Sequence, residues 1–307
     1  MKILVAGGSG ALGLPLIARL RQARYAVWGM AHSARGQAAL GALGAGVVEG
    51  NALERSTVFA IMERLRPDCV VDQLTSLPAS PFDLPRQLPA DRVLRLQGGG
   101  NLLDAARACG VRRYIQQSCG FYLDGGGGLA HDTSPLKTTA PGHMGESARM
   151  YATLEKRLMD AQDIHGTALR YGFFYGPRTW YWPDGAFTTH MRQAEVPLIG
   201  AGASVLSFIH VEDAAQATVS ALSAPPGVYT VVDDQPVPMH AWLPAYARWV
   251  GAPTPMHLCE QDACASMGVE SVYYQNALDG ACNHSARALL GLAPRSQPWG
   301  SAGFAGV

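Results

Sequence analysis

The chain has 307 residues, 48% hydrophobic and 16% charged, enough to bury a full core and to carry a second, smaller lobe. Its 24 basic and 24 acidic residues cancel, which leaves no summed field to hold a polyanion and argues against nucleic acid as a partner. No apolar stretch suits a signal peptide or a membrane span, so a cytoplasmic protein with no membrane partner is expected.

In chain order, short apolar runs alternate with helical patterns, the signature of repeated βαβ units and a parallel sheet. The pattern predicts strands at Ile3 to Ala6, Ala26 to Met30, Gly46 to Glu49, Cys69 to Asp72, Tyr114 to Gln117 and Thr167 to Tyr171. Helices are expected at Leu12 to Gln22, Glu54 to Leu65, Arg92 to Cys109 and Ser147 to His165. After Tyr171, Gly176-Pro177, the Trp180 to Pro183 run and Pro197 break any long element and suggest a loop-rich lobe. Val205 to Val211 then reads as a strand, Asp213 to Leu222 as a helix, Gly227 to Val232 as a strand and Met239 to Val250 as a helix. The expected fold class is α/β, a Rossmann-type doubly wound parallel sheet with a smaller C-terminal substrate lobe. Residues 1–171 with 205–232 form the dinucleotide-binding domain, and 172–204 with 233–307 form the lobe. Six cysteines (Cys69, Cys109, Cys119, Cys259, Cys264, Cys282) show neither a CxxC pair nor Cys/His zinc-ligand spacing, so free thiols and no metal are expected.

Gly8-Ser9-Gly10-Ala11-Leu12-Gly13 fits G-x-G-x-x-G, and Gly7, Gly10 and Gly13 also satisfy G-x-x-G-x-x-G. The motif follows a predicted strand and opens a predicted helix, the context in which glycines admit a pyrophosphate to the main chain. Gly7, Gly10, Ala11, Leu12 and Gly13 are therefore candidate cofactor contacts. An NAD site usually carries an acid about 20 residues further on, to bond the adenosine ribose. Ala31-His32-Ser33-Ala34-Arg35 stands there instead, and no acid lies between Gly13 and Glu49. His32, Ser33 and Arg35 suit a 2′-phosphate, so NADP(H) is preferred and NAD(H) stays as the alternative.

These residues, together with Asn101 to Ala106, Arg112 to Ile115, Ser118 with Tyr122, Leu169 to Gly172 with Tyr175-Gly176-Pro177, and Phe208 to Ala214, carry a resemblance. The chain resembles extended or atypical members of the short-chain dehydrogenase/reductase superfamily, of the NAD-dependent epimerase/dehydratase type. That resemblance implies catalysis by a serine or threonine after the fifth strand and a Tyr-x-x-x-Lys helix pair, in which lysine lowers the tyrosine pKa. Ser118 matches the serine, but Tyr-x-x-x-Lys is absent. With Glu155 taken as the family's helix acid, Tyr151 falls on the lysine position and Ser147 on the tyrosine position. Lys156, five residues after Tyr151, is rotated away on a helix. Ser118 and Tyr151 are the catalytic candidates. Asn51 stands where relatives often place an aspartate near adenine, and Arg95 where an asparagine is common. Tyr171 is expected at the nucleotide, and relatives imply a homodimer.

Tyr122, Phe174, Trp180 and Tyr181 are candidate substrate contacts, within an aromatic run that favours an apolar or planar substrate. Gly125 to Gly128 and Ala140 to His143 suit a mobile cover, His143 is a candidate proton carrier, and His210 reads as structural. The favoured activity is NAD(P)-dependent reduction or dehydrogenation of a carbonyl or activated alkene in a small metabolite. The alternatives are a nucleotide-retaining epimerase, isomerase or dehydratase, and a nucleotide-sensing protein without turnover.

Overall fold

The structure, a computed structural model, describes residues 1–300. Seven parallel strands form the central sheet in the order β3-β2-β1-β4-β5-β6-β11. These are β1 Lys2–Ala6, β2 Ala26–Ala31, β3 Gly46–Glu49, β4 Cys69–Asp72, β5 Arg113–Cys119, β6 His165–Tyr171 and β11 Gly227–Val231. Between them in the chain run α1 Gly13–Gln22, α2 Ala34–Ala42, α3 Arg55–Leu65, α4 Leu84–Val93, α5 Gly99–Ala108 and α6 Gly142–Asp160. The segment from β6 to β11 holds β7 Phe173–Tyr175, α7 Ala186–Arg192, β8 Leu198–Ile199, β9 Val205–Leu206, β10 Phe208–His210 and α8 Val211–Ser220. The remainder is β12 Val237–Pro238, α9 Met239–Val250, β13 His257–Leu258, α10 Glu260–Met267, α11 Val269–Asn276 and α12 His284–Leu290. No described helix is long and apolar enough to cross a membrane.

Central parallel strands are covered on both faces, which is why β1 and β4 read as unbroken buried runs rather than alternating ones. One face packs Leu14, Leu16, Ile17 and Leu20 of α1 against Ala214, Ala215 and Ala217 of α8, whose small side chains let the helices approach. The other buries Val58, Ile61 and Met62 of α3 with Leu102, Leu103 and Ala106 of α5. A third core, rich in aromatics, gathers Phe173, Tyr175, Tyr181, Phe187, Phe208, Trp242 and Tyr246 beyond the strand ends. Strand order reverses between β1 and β4, and the crevice outside those carboxyl ends is where such sheets take ligands.

Four expectations need correction. Helix α2 was missed because its polar start and two glycines give little periodicity. The helix expected from Arg92 begins at Leu84, runs through a wider π turn at Leu94–Gly98 and continues as α5. Pro85 lies in the first turn, where its missing N–H costs nothing, and Pro89 sits inside α4 without ending it. Helix α6 starts five residues before Ser147 and stops at Asp160, with His165 already in β6. The strand expected at Val205 to Val211 is two strands, β9 pairing antiparallel with β12 and β10 parallel with β7. Ser207 makes the break, its side chain fastened to the backbone of Ala281.

Candidate active site

The glycine loop joins β1 to α1 at the strand-order reversal. Gly7 has φ +75°, and a Cβ there would sit 2.1 Å from the carbonyl oxygen of Gln73. A Cβ on Gly13 would lie 2.5 Å from the carbonyl oxygens of both Gly7 and Gly8, so these glycines lock the loop to β4 and to its own helix. Gly10 differs: a Cβ there would meet only the Gly7 carbonyl, at 3.3 Å, and otherwise point into open space. Ala11 and Leu12 lead into α1, which has no capping side chain and no acid in its first turn. Its amide dipoles therefore present uncompensated positive charge beside Gly10. The Gln73 backbone carbonyl faces Gly7, while its buried side chain lies by the Tyr171 hydroxyl. A cradle that a Cβ would fill, in front of an uncapped helix start, fits a dinucleotide.

At the end of β2, Ser33 caps α2 by accepting the Gly36 amide at 3.2 Å, so its hydroxyl is already used. Gly36 lies close to Ser9, which brings the first turn of α2 beside the glycine loop. His32 and Arg35 are exposed and take no hydrogen bond or ion pair among the described residues. Asn51 turns away to open α3: its Oδ1 accepts the Leu53 amide at 3.1 Å and its Nδ2 donates to Glu54 at 3.3 Å.

Ser118 lies inside the fold. Its hydroxyl donates to Glu155 at 2.5 Å, and Glu155 accepts from Nε and an Nη of Arg170 at 2.8 and 2.7 Å. Arg170 also donates to the carbonyls of Asp132 and Ser134. This buried chain occupies Ser118, so the hydroxyl is a support rather than a free donor. The next residue, Cys119, packs instead with Tyr151 and Tyr122. Burial pushes the Cys119 thiol up to about 12, against the opposing pull of the Phe121 and Tyr122 amides and of Arg95, so it stays protonated. Burial likewise raises Tyr151 far above an ordinary phenol, with Arg95 pulling the other way.

Arg95, on the π turn, is 4% exposed and stacks its guanidinium 5.4 Å from the Tyr151 ring centre. Its Nε donates to Asp91 at 2.7 Å, and Asp91 in turn accepts from Thr75 at 3.1 Å and from the Ser76 amide at 2.6 Å. The other Arg95 nitrogens have no hydrogen-bond partner among the described residues. Ser147, at the family's tyrosine position, is buried with an unpartnered hydroxyl. Lys156 points to solvent and pairs with Asp160 at 2.7 Å. The local chemistry is a permanent cation with two protonated donors, a phenol and a thiol. The nearby carboxylates, Asp91 and Glu155, are each already paired with an arginine.

The aromatic candidates separate. Tyr122 is half-buried, with its ring 4.7 Å from Phe121, and burial raises its phenol. Tyr181 belongs to the aromatic core, among Phe187, Trp242 and Tyr246. Tyr171 directs its hydroxyl to Thr218 of α8 at 2.7 Å, which buries it in the sheet's core. Phe174 leans on Tyr171 on that same side, away from the aromatic lobe. Trp180 is half-buried, donates to the Pro78 carbonyl at 3.2 Å and lines an open cleft of about 300 Å³ with Ala79, Arg178 and Asp184. His143 is tied by its amide to Glu270 and by its ring to Glu146. His210 accepts the Glu212 amide at 3.1 Å and so caps α8. Sequence reasoning missed Cys119 and Asp91, which carry no motif and come to Tyr151 and Arg95 only through the fold.

Residues 3–231 match the family described as the NAD dependent epimerase/dehydratase family. A Streptomyces protein named 3-diazoavenalumate denitrifying reductase is 36% identical over 302 residues, 97% of this chain and 98% of its own length. Among solved structures, the fold is similar to UDP-glucose 4-epimerase from Thermotoga maritima with UDP-glucose: TM-score 0.74, 21% identity, covering 97% and 95% of the two chains. The Thermus thermophilus UDP-glucose 4-epimerase in complex with NAD gives 0.72 at 22% identity, covering 98% and 96%.

Proposed function

Because the chain belongs to the NAD-dependent epimerase/dehydratase family, we propose that it is a reductase that prefers NADP(H) and acts on a small aromatic or apolar acceptor. The acceptor class is an electron-poor unsaturated group, a carbonyl, an activated alkene or an aryl diazo group. The last is suggested by the name of the 36% identical relative. Residues 172–204 and 233–300 are assigned to the lobe that shapes the substrate space; residues 301–307 of the expected lobe lie outside the described residues.

One observation carries this reading: the position that would hold a Tyr/Lys base pair holds Tyr151 stacked under Arg95, while Lys156 faces solvent. Removing a proton from a sugar hydroxyl, the opening step of an epimerase, needs an unengaged base, whereas Asp91 and Glu155 here are tied up by Arg95 and Arg170. Adding charge to an acceptor needs what it has, a fixed cation and protonated donors buried away from water. Bound nicotinamide supplies the hydride. Gly7, Gly10 and Gly13 with the start of α1 would hold the pyrophosphate, and Arg35 with His32 would meet the 2′-phosphate. Arg95 stabilises negative charge developing on the acceptor. Tyr151 donates a hydrogen bond to the atom that gains the electron pair.

Turnover tests the proposal. Purified protein with NADPH and a panel of aryl carbonyl, enone and aryl diazonium compounds is followed at the reduced-nicotinamide band. Net oxidation of NADPH matched one to one by reduced product is expected. Product formed at constant absorbance would overturn the reductase in favour of an isomerase, and binding with no product from any compound would favour a sensor.

A further inference from the structure

On the outer face of the loop between β5 and α6, the fold joins three side chains that the sequence keeps far apart. His131 Nδ1 lies 3.0 Å from Cys282 Sγ, 151 residues later in the chain, and His284 completes a group whose ligand atoms all fall within 4.8 Å of one another. We propose that His131, Cys282 and His284 form a binding site for a divalent cation of the zinc class, with the fourth position left to water.

Thiolate and imidazole are the donors that borderline-soft cations select. With Zn–S about 2.3 Å and Zn–N about 2.0–2.1 Å, tetrahedral donors stand roughly 3.3–3.6 Å apart, so a group spread over 4.8 Å closes by small side-chain rotations. The backbones beneath are fixed. Ala130 donates to the Gly280 carbonyl at 3.1 Å and Cys282 to the Ala130 carbonyl at 2.9 Å. The His131 amide bonds Ser134 at 2.9 Å. Asn283, between the two later ligands, is anchored to the Val232 carbonyl at 2.9 Å and to Asp234 at 2.8 Å. Such prior ordering lowers the entropy cost of gathering ligands.

The position gives the ion something to do. On the inner side of the same loop, Leu123, Ala130 and Leu136 pack with Cys119 and Tyr151, and Asp132 and Ser134 supply the carbonyls that hold Arg170. A cation on the outside would staple this cover to the start of α12. The site stands independently of the reductase reading, because its test is metal binding.

The probe is Co²⁺, followed by Zn²⁺ competition, on full-length protein stripped with chelator. Cys259→Ser/Cys264→Ser serves as background, since both thiols are exposed. One equivalent of Co²⁺ is expected to produce a thiolate-to-cobalt charge-transfer band with tetrahedral d–d bands, displaced by Zn²⁺. Cys282→Ser should abolish the charge-transfer band, and His131→Ala or His284→Ala should weaken Co²⁺ at least about tenfold. Zn²⁺ should raise the melting temperature of the background protein and of none of the three variants. Far-UV dichroism on each variant verifies folding. No band at one equivalent, or a band that survives Cys282→Ser, overturns the site. A folded histidine variant that binds as tightly as the background removes that histidine from it.

Discussion

Replacing Glu155 by alanine tests the buried chain that links Ser118, Glu155 and Arg170. Its carboxylate accepts three hydrogen bonds, from Ser118 and twice from Arg170, and the side chains of the ion pair are only 9% and 7% exposed. Removing it strands the Arg170 charge on two carbonyls and leaves the Ser118 hydroxyl without an acceptor. Breaking one side of a buried pair costs about 3–5 kcal/mol, and an orphaned buried hydroxyl adds in the same direction. The expected loss is therefore about 3–5 kcal/mol, a fall of two to three decades or more in the folding constant. Lys156→Ala is the control: its pair with Asp160 leaves the side chains 76% and 62% exposed, and it should change stability by less than about 1 kcal/mol. Urea unfolding followed by tryptophan fluorescence reads both, with an unchanged slope licensing the comparison. A Glu155→Ala loss under about 1 kcal/mol would show that the chain is solvated and does not brace the site.

Arg35→Ala should weaken NADPH by about 10- to 100-fold, the worth of a hydrogen bond to a charged group, and leave NADH nearly unchanged in calorimetry. Equal losses would remove the 2′-phosphate assignment. Tyr151→Phe should lower kcat by about 10²-fold or more with nucleotide Kd within about twofold, whereas unchanged kcat would reduce Tyr151 to packing. Asp233, buried and bonded to Gln297 at 2.9 Å, is pushed up to about 7 by burial. From about pH 4 to 7 the folded state holds a proton that the unfolded state has lost, so stability falls as pH rises through that window, by about 1.4 kcal/mol per pH unit at most. In a chemical-denaturation series Asp233→Asn should lack this slope, and a profile parallel to the parent would contradict it.

The sheet and the glycine cradle were legible because both are local. Apolar runs in β1 and β4 and the Gly7, Gly10, Gly13 spacing need only a few consecutive residues to declare themselves. Helix α4 was hidden, because proline reports a strong local preference that its place in the first turn makes irrelevant. The orientation of Ser118 was not legible: Ser118 and Cys119 are adjacent in sequence, and only the acceptor offered by Glu155, 37 residues on, draws the serine hydroxyl inward. Phe174 and Tyr181 stand in one aromatic run in the sequence because composition gives no direction, whereas the alternation of β7 sends Phe174 and its neighbours to different cores. Arg95 was visible as a departure from relatives, but its stacking on Tyr151 depends on the π turn, which nothing in the local pattern marks.

Gly10→Val probes the dinucleotide cradle most directly, because its side chain would enter the space in front of the loop while meeting only the Gly7 carbonyl at 3.3 Å. Titration calorimetry with NADPH should show saturable one-to-one binding to the parent protein and a loss of at least about 100-fold in the variant, with a melting temperature within a few degrees of the parent. Parent-like affinity in a folded Gly10→Val protein, or no binding of either nicotinamide nucleotide to the parent at millimolar concentration, would contradict the account.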